Sequence, residues 1–363
     1  MNSQLICHIK DILSLREQFS RKSGIHKEAE TFKIWARWII THRSLFPQDH
    51  IYLPSDSEYD FQILTELQMK GCPKDKQTYE WLLSACADVN QRYPKLTLSE
   101  TEFPGIHGNI PVYYQETGTG KSRQAVFSCG DFVYELPMHV VRKLDRLYVS
   151  TGLAMPSMKN EYIWLITALY DLLDGKGLQW AVPATVMWLL QQDLGCYTEL
   201  FASPINTYNS SYYSLFSYDR YFGSKGNFFT APNSDFVEGA YQINPPFIIP
   251  LFTKTTERVL ELLEIAEQNE KLLTFVYIMP EWDDFPAYNM VSETRFCMKQ
   301  IKMDPGRHYY HQYSTGSYIK ARFGTHIIFL STDMKCCNNE FEKAIKVAFS
   351  QPFKFNTRTL NRT

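Results

Sequence analysis

GAYQINPPFIIP, residues 239–250, decides how this chain is read. Gly239 to Ile243 has the tyrosine and β-branched content of a short strand. Asn244 follows, and then two prolines. Tandem proline has no N–H to give a sheet and cannot continue a helix, so the strand must stop there. Phe247 then sets an aromatic ring at the strand's mouth. The plainest reading of these four residues is a turn after a strand.

Outward from this point the segments alternate. TKTTERVLELLEIAEQ (253–268) has the stripe of an amphipathic helix, and KLLTFVYIMP (271–280) is the continuous apolar run of a buried strand. Upstream, ATVMWLLQQDLG (184–195) reads as a helix closed by Gly195, and YTELFASPIN (197–206) as a short strand leaving into a loop. Tyr218 to Phe229 reads as irregular. Downstream, SETRFCMKQ (292–300) reads as a helix, YIKARFGTHIIFLST (318–332) ends in a strand, and one helix follows Asn338. This alternation predicts an α/β layer with a mostly parallel sheet.

The first third has another texture. EAETFKIWARWIITHR (28–43), SEYDFQILTELQMKG (57–71) and KQTYEWLLSACADVNQRY (76–93) repeat apolar residues at helical spacing. A β-hairpin is expected near 109–134, with two more helices at 137–149 and 161–175. The expected organisation is a mainly helical domain over 1–155 and an α/β domain over 156–363.

Composition narrows the function. With 37 basic and 39 acidic residues the formal charge is −2, whereas a protein gripping duplex DNA along its backbone would be more basic. Any nucleic acid is therefore expected in a local pocket. The 24 Phe and 23 Tyr are enough both to fill a core and to offer stacking faces for bases. Eight cysteines form no C-x-x-C pair, which speaks against a zinc site and for reduced cysteines inside a cell. No apolar run near the N-terminus reaches a signal or membrane length, so a soluble, intracellular protein is expected, in nucleus or cytoplasm.

Two motifs dissolve on inspection. GTGKS (118–122) mimics the end of a phosphate loop, but Gln115 stands where that pattern needs glycine, and a strand follows where a helix should open. It is expected to be a hairpin turn. HYYH (308–311) offers two histidines with no third ligand at metal spacing, beside Pro305 and Gly306. A loop with a structural or substrate-facing role is expected there, and no metal.

Asn-Pro-Pro-Phe also suits one specific chemistry. The N6 lone pair of adenine is delocalised into the ring. Two acceptors aimed at the two N6 hydrogens draw that nitrogen toward a pyramidal, nucleophilic shape. Asn244 offers a side-chain oxygen and Pro245 a carbonyl held by its fixed φ. Phe247 offers a face on which the base stacks. Open α/β sheets bind ligands at strand ends of this kind.

From about residue 120 the chain resembles the cap-specific adenosine N6-methyltransferases of the phosphorylated-CTD-interacting-factor type. GLQWAVP (177–183), ELFASPIN (199–206), RYFGSKG (220–226), GAYQINPPF (239–247), VYIMPEW (276–282) and YIKARFGTHIIFL (318–330) occur in that family's order. FSCGDFVYELPMHVVRKLDRLY (127–148) is similar to the segment before the family's catalytic core. The resemblance implies a Rossmann-like S-adenosylmethionine-dependent methyltransferase core with an N-terminal mainly helical domain. It implies transfer of a methyl group to N6 of the adenosine beside the 7-methylguanosine cap of RNA, with capped RNA as partner and no membrane. Internal RNA or DNA adenines, or a binding subunit without turnover, are the alternatives.

By the same resemblance Asn244, Pro245, Pro246 and Phe247 form the catalytic loop. Gly177, Gln179, Glu199, Ser203, Pro204 and Asn206 surround the cofactor. Glu199 has the alternative of a structural cap or pair. Glu281, Trp282, Lys320 and Arg322 face the substrate, with alternatives of a core tryptophan, an N-cap acid and solvated cations. Lys225 has the same ambiguity. The resemblance is expected to cover a core without the family's WW domain. Trp180 is bulky where a small residue is expected.

Overall fold

The chain divides into two units, Met1–Gln179 and Trp180–Thr363. The computed structural model describes residues 3–25, 28–45, 53–54, 61–93, 111–120, 123–153, 156–173, 178–282, 284–313, 315–333 and 338–353.

In the first unit, apolar stripes fold as α1 (Ser3–Ser23), α2 (Glu28–Leu45), α3 (Phe61–Met69) and α4 (Asp75–Arg92). Trp35, Trp38, Ile39, Leu82 and Cys86 are buried between them. A three-stranded antiparallel sheet follows, β1 (Tyr113–Thr117), β2 (Gln124–Cys129) and β3 (Phe132–Pro137). The phosphate-loop mimic is the β1–β2 connection: Thr117 pairs with Gln124, and Gly118 and Gly120 take positive φ. Two helices complete the unit, α5 (Met138–Thr151) and α6 (Lys159–Asp171), and α6 packs on β2 and β3.

The second unit is a mixed α/β layer. α7 (Ala184–Leu194) ends on Gly195 at φ 65°, whose N–H returns to the carbonyls of Gln191 and Leu190. β4 (Cys196–Glu199) and β5 (Ser211–Tyr212) follow, then β6 (Gly239–Ile243). α8 (Ile249–Gln268), β7 (Leu273–Pro280), α9 (Pro286–Ser292), β8 (Cys297–Met303), β9 (Tyr309–Gln312), β10 (Ser317–Lys320), β11 (Thr325–Ser331) and α10 (Asn339–Ser350) complete it.

The six-stranded sheet has the order β5-β4-β6-β7-β11-β8. The first four strands are parallel, while β11 runs antiparallel to both β7 and β8. Five of its six strands thus point the same way and β11 alone is reversed, so the sheet is mixed with a parallel majority. All eight residues of β7 are buried. Leu262, Leu263, Ala287 and Val291 of α8 and α9 cover one face with Phe275 and Tyr277. Val186, Leu190, Ile345 and Phe349 of α7 and α10 cover the other with Val276 and Ile278. Each large apolar side chain so buried contributes about 1.5–3 kcal/mol.

Two local expectations fail. SETRFCMKQ is not a helix: α9 ends at Ser292, and Cys297 onward is β8, paired with β11 from Leu330 to Thr325. Pairing with a fully buried neighbour outweighs weak local helix preference. HYYH is not a loop: Tyr309–Gln312 is β9, paired with β10 and bridged through His311 to Ala181.

Candidate active site

The chain leaves β4 toward β5 on one side and returns as β6 on the other. The carboxyl ends of β4 and β6 therefore flank a topological switch point, where open sheets hold ligands. FASPIN leaves β4 there, NPPF leaves β6, and PEW leaves β7 next door. The sequence thus sets its three distinctive loops on three adjacent parallel strand ends.

At the end of β6 the prolines do what their chemistry requires. The ladder stops at Ile243, Ile248 is extended at φ −130°, and α8 begins immediately with Pro250 in its first turn. Pro246's carbonyl accepts from Ile248 N at 2.7 Å, while no backbone N–H among the described residues reaches the carbonyl of Pro245.

Asn244 is half-buried, and its Nδ2 donates to the Trp180 carbonyl at 3.3 Å. The reverse amide orientation would set oxygen against oxygen, so this bond fixes which end faces outward. Its Oδ1 is buried and has no hydrogen-bond partner among the described residues. A buried acceptor left open costs about 1–3 kcal/mol, so an unfilled one marks a place where a donor belongs.

Aromatic rings surround this acceptor's loop. Phe247 packs edge-on to Phe323 at 5.5 Å, Trp282 at 6.0 Å and Tyr310 at 6.2 Å. Trp180 stacks with Tyr310 at 6.1 Å and with Phe323 at 6.5 Å. The bulky Trp180 thus supplies a wall with its ring and orients Asn244 with its carbonyl. Its size marked it in the sequence as out of pattern. Tyr310 and Phe323 carried no such mark.

Glu199 lies at the end of β4, buried. Its Oε1 accepts from Thr207 Oγ1 at 2.7 Å and from the backbone N–H groups of Tyr208 and Asn209 at 2.8 Å each. Burial first, and this carboxylate second, push the phenols of Tyr208 and Tyr313 upward and keep them protonated. Three donors on one oxygen hold the 207–209 loop, the structural alternative weighed for this residue. Ser203 and Asn206 are likewise turned on each other: Ser203 N donates to Asn206 Oδ1 at 2.7 Å, and Asn206 N to Ser203 Oγ at 3.1 Å. With buried Pro204 they shape the loop after β4. Gly177 lies outside the described residues, and Gln179 closes the first unit.

Glu281 pairs with Lys302 and its N–H donates to the Gly324 carbonyl at 2.8 Å. A Cβ on Gly324 would fall inside the Glu281 carboxylate, 2.8 Å from its Cδ. A side chain at 324 would thus have to displace the Glu281 carboxylate, a constraint invisible in one sequence. Gly324→Ala is expected to expel the carboxylate from Lys302 and destabilise the protein by about 1–3 kcal/mol, the scale of overpacking. Thermal unfolding beside Glu281→Gln checks this, and an unchanged melting temperature would show that Glu281 moves aside freely.

Trp282 is half-buried against Phe247, Phe252 and Phe285, so part of its ring belongs to the core edge. Lys320 and Arg322 are exposed, as is Lys225. No carboxylate among the described residues pairs with Lys320 or Arg322. The geometry brings Asn244, Pro245, Phe247 and Trp282 together, while Lys320 and Arg322 stay at the surface.

The family model described as phosphorylated CTD interacting factor 1 WW domain matches residues 143–313. This corrects the expectation of a core without that domain, since the model bearing its name covers α6, α7 and most of the mixed sheet. A human protein named mRNA (2'-O-methyladenosine-N(6)-)-methyltransferase is 30% identical over 191 residues, which is 47% of this chain and 26% of that protein. The mouse protein of the same name is 30% identical over 188 residues, 46% of this chain and 25% of its own length. The match thus spans about a quarter of these relatives. Across its central half, and with its strand-end loops in place, the chain is similar to the phosphorylated CTD interacting factor 1 proteins and to mRNA adenosine N6-methyltransferases.

Proposed function

We propose that this chain is an S-adenosylmethionine-dependent RNA adenine-N6 methyltransferase acting on the adenosine beside an mRNA cap. One observation carries the reading: the oriented, unpartnered Oδ1 of Asn244 at a strand end ringed by aromatic faces. The parallel quartet, reversing between β4 and β6, supports a Rossmann-like core. The relatives' names support the substrate.

Asn244 Oδ1 accepts one N6 hydrogen, and the Pro245 carbonyl the other. Phe247 gives the base a face and, with Trp180, excludes water from it. A cap-adjacent nucleotide is single-stranded and is extruded at little cost, which suits a chain without a broad basic face.

The residues present fit a nucleoside cofactor. Gln242 Nε2 and Asn209 Nδ2 are buried donors without hydrogen-bond partners among the described residues, in side chains 1% and 5% exposed. Gln242 faces Glu199 across the β4–β6 ladder, one pleat behind Asn244 on the same face. S-adenosylmethionine, when bound, supplies an electrophilic sulfonium methyl. Gln242 and Asn209 would donate to its acceptor atoms, and Glu199 holds the loop that carries Asn209. Gln242→Leu is expected to weaken cofactor affinity about tenfold, one hydrogen bond of about 1.4 kcal/mol. Calorimetry with S-adenosylhomocysteine checks it, and an unchanged Kd would remove Gln242 from the cofactor site.

Methyl transfer to capped RNA, uncapped RNA and DNA tests the proposal. Preference for capped RNA supports it. Equal transfer to uncapped RNA or DNA favours an internal-adenine enzyme, and absent cofactor binding a binding subunit.

A further inference from the structure

HYYH, set aside as a metal motif, joins the site by another route. His308 is fully buried, 0% exposed. Its Nδ1 lies 3.1 Å from the Asp304 carbonyl and its Nε2 2.8 Å from Thr325 Oγ1. Tyr310 Oη lies 3.0 Å from the same Thr325 oxygen. A carbonyl only accepts, so Nδ1 carries the proton and Nε2 is bare. Thr325 must then give its hydrogen to Nε2, and its lone pair takes the hydrogen of Tyr310. The chain of donors runs one way, from Tyr310 through Thr325 and His308 to Asp304.

Tyr310 is also a wall of the aromatic site, against Trp180 and Phe247. His311, next in the chain, exchanges two backbone hydrogen bonds of 2.8 Å with Ala181, fixing the segment that carries Trp180. Trp180's carbonyl in turn orients Asn244.

We propose that His308 is a positioning residue for the nucleobase site, acting through Thr325 and Tyr310 on Trp180, and that its protonation loosens that site in acid. The inference rests on the function proposed above. A proton on Nε2 turns that nitrogen into a donor, so the Thr325 hydrogen must turn away; the other partner of that hydroxyl is Tyr310 Oη, which must switch from donor to acceptor or leave the Thr325 hydrogen unpaired. Burial holds the His308 ring below its ordinary pKa of 6.5, while Asp304 pulls it upward less strongly. Among the described residues Asp304 is the one charged group that acts on the ring; β11 brings Thr325, α10 brings Phe349, and Tyr310 stays protonated because burial raises its phenol. The folded pKa lies below the unfolded one, so the network's contribution is full above about pH 6.5 and is lost as pH falls through the ring's lowered folded value.

Incorporation of 5-fluorotryptophan gives a readout independent of catalysis. The Trp180 resonance is assigned by its loss in Trp180→Phe. It is expected to titrate below pH 6.5 in the native chain and to lose that titration in Thr325→Val and His308→Gln. Methyl transfer by Thr325→Val at pH 7.5 is expected to fall about tenfold, the scale of partial misplacement, with cofactor affinity unchanged. A Trp180 resonance that stays flat from pH 8 down to the acid unfolding of the chain, or one that titrates equally in Thr325→Val, overturns the relay. A titrating resonance without any methyl transfer keeps the relay and overturns only the enzymatic reading. Should His308→Gln fail to fold, Tyr310→Phe removes the same hydrogen while keeping the ring, and it is expected to abolish the titration too.

Discussion

Asn244→Ala is expected to lower the rate of methyl transfer about 100- to 1000-fold while leaving cofactor affinity and melting temperature nearly unchanged. That is the scale of losing one preorganised group at a reacting centre. Oδ1 has no hydrogen-bond partner among the described residues, so its removal breaks no internal bond there except that of Nδ2 to Trp180. Deleting an unsatisfied buried acceptor relieves desolvation, which offsets the lost bond in the apoprotein. Asn244→Asp is equally informative. A carboxylate keeps the acceptor but has no hydrogen for the Trp180 carbonyl, so two oxygens repel. Asp is expected to recover only a small part of the rate. Single-turnover kinetics beside calorimetry separates the two effects. Near-normal turnover in Asn244→Ala would remove the amide from the chemistry.

Phe247→Ala is expected to raise KM for RNA about 10- to 100-fold, since stacking one base on an aromatic ring is worth about 1–3 kcal/mol. Phe247 also packs against Phe252, Trp282, Tyr310 and Phe323, so the cavity loosens every wall of the site and kcat falls with it. Phe247→Tyr keeps the ring, and it is expected to remain within about threefold of native KM. The ratio of the two variants distinguishes stacking from packing. Equal KM in alanine and tyrosine variants, with only the melting temperature lowered, would make Phe247 a core residue.

The layout of the second unit was legible because its signals are local. Gly195 closes α7, tandem proline stops β6, and the short continuous run of β7, with its Thr, Phe, Val, Tyr and Ile, reads as a buried strand. β8 was not legible. Its residues alternate only from Gln300 onward, and its strand character comes from pairing with β11. Sheet preference is set by neighbours, which one sequence does not display.

The site was legible in the same partial way. Asn244 and Phe247 announce themselves because Asn-Pro-Pro-Phe is rare and chemically coherent. Gln242 is one pleat away and carries a polar signal within an apolar strand, yet only the open Nε2 distinguishes it from a satisfied core amide. Tyr310, Thr325 and His308 meet through hydrogen bonds between separate segments, and such meetings belong to the tertiary fold.

Mass spectrometry of capped RNA treated with the purified protein and labelled S-adenosylmethionine tests the central claim most directly. The account predicts one labelled methyl on N6 of the adenosine next to the cap, and none from the Asn244→Ala protein. Label on any other atom, or an unlabelled adenosine from a protein that binds the cofactor well, would contradict it.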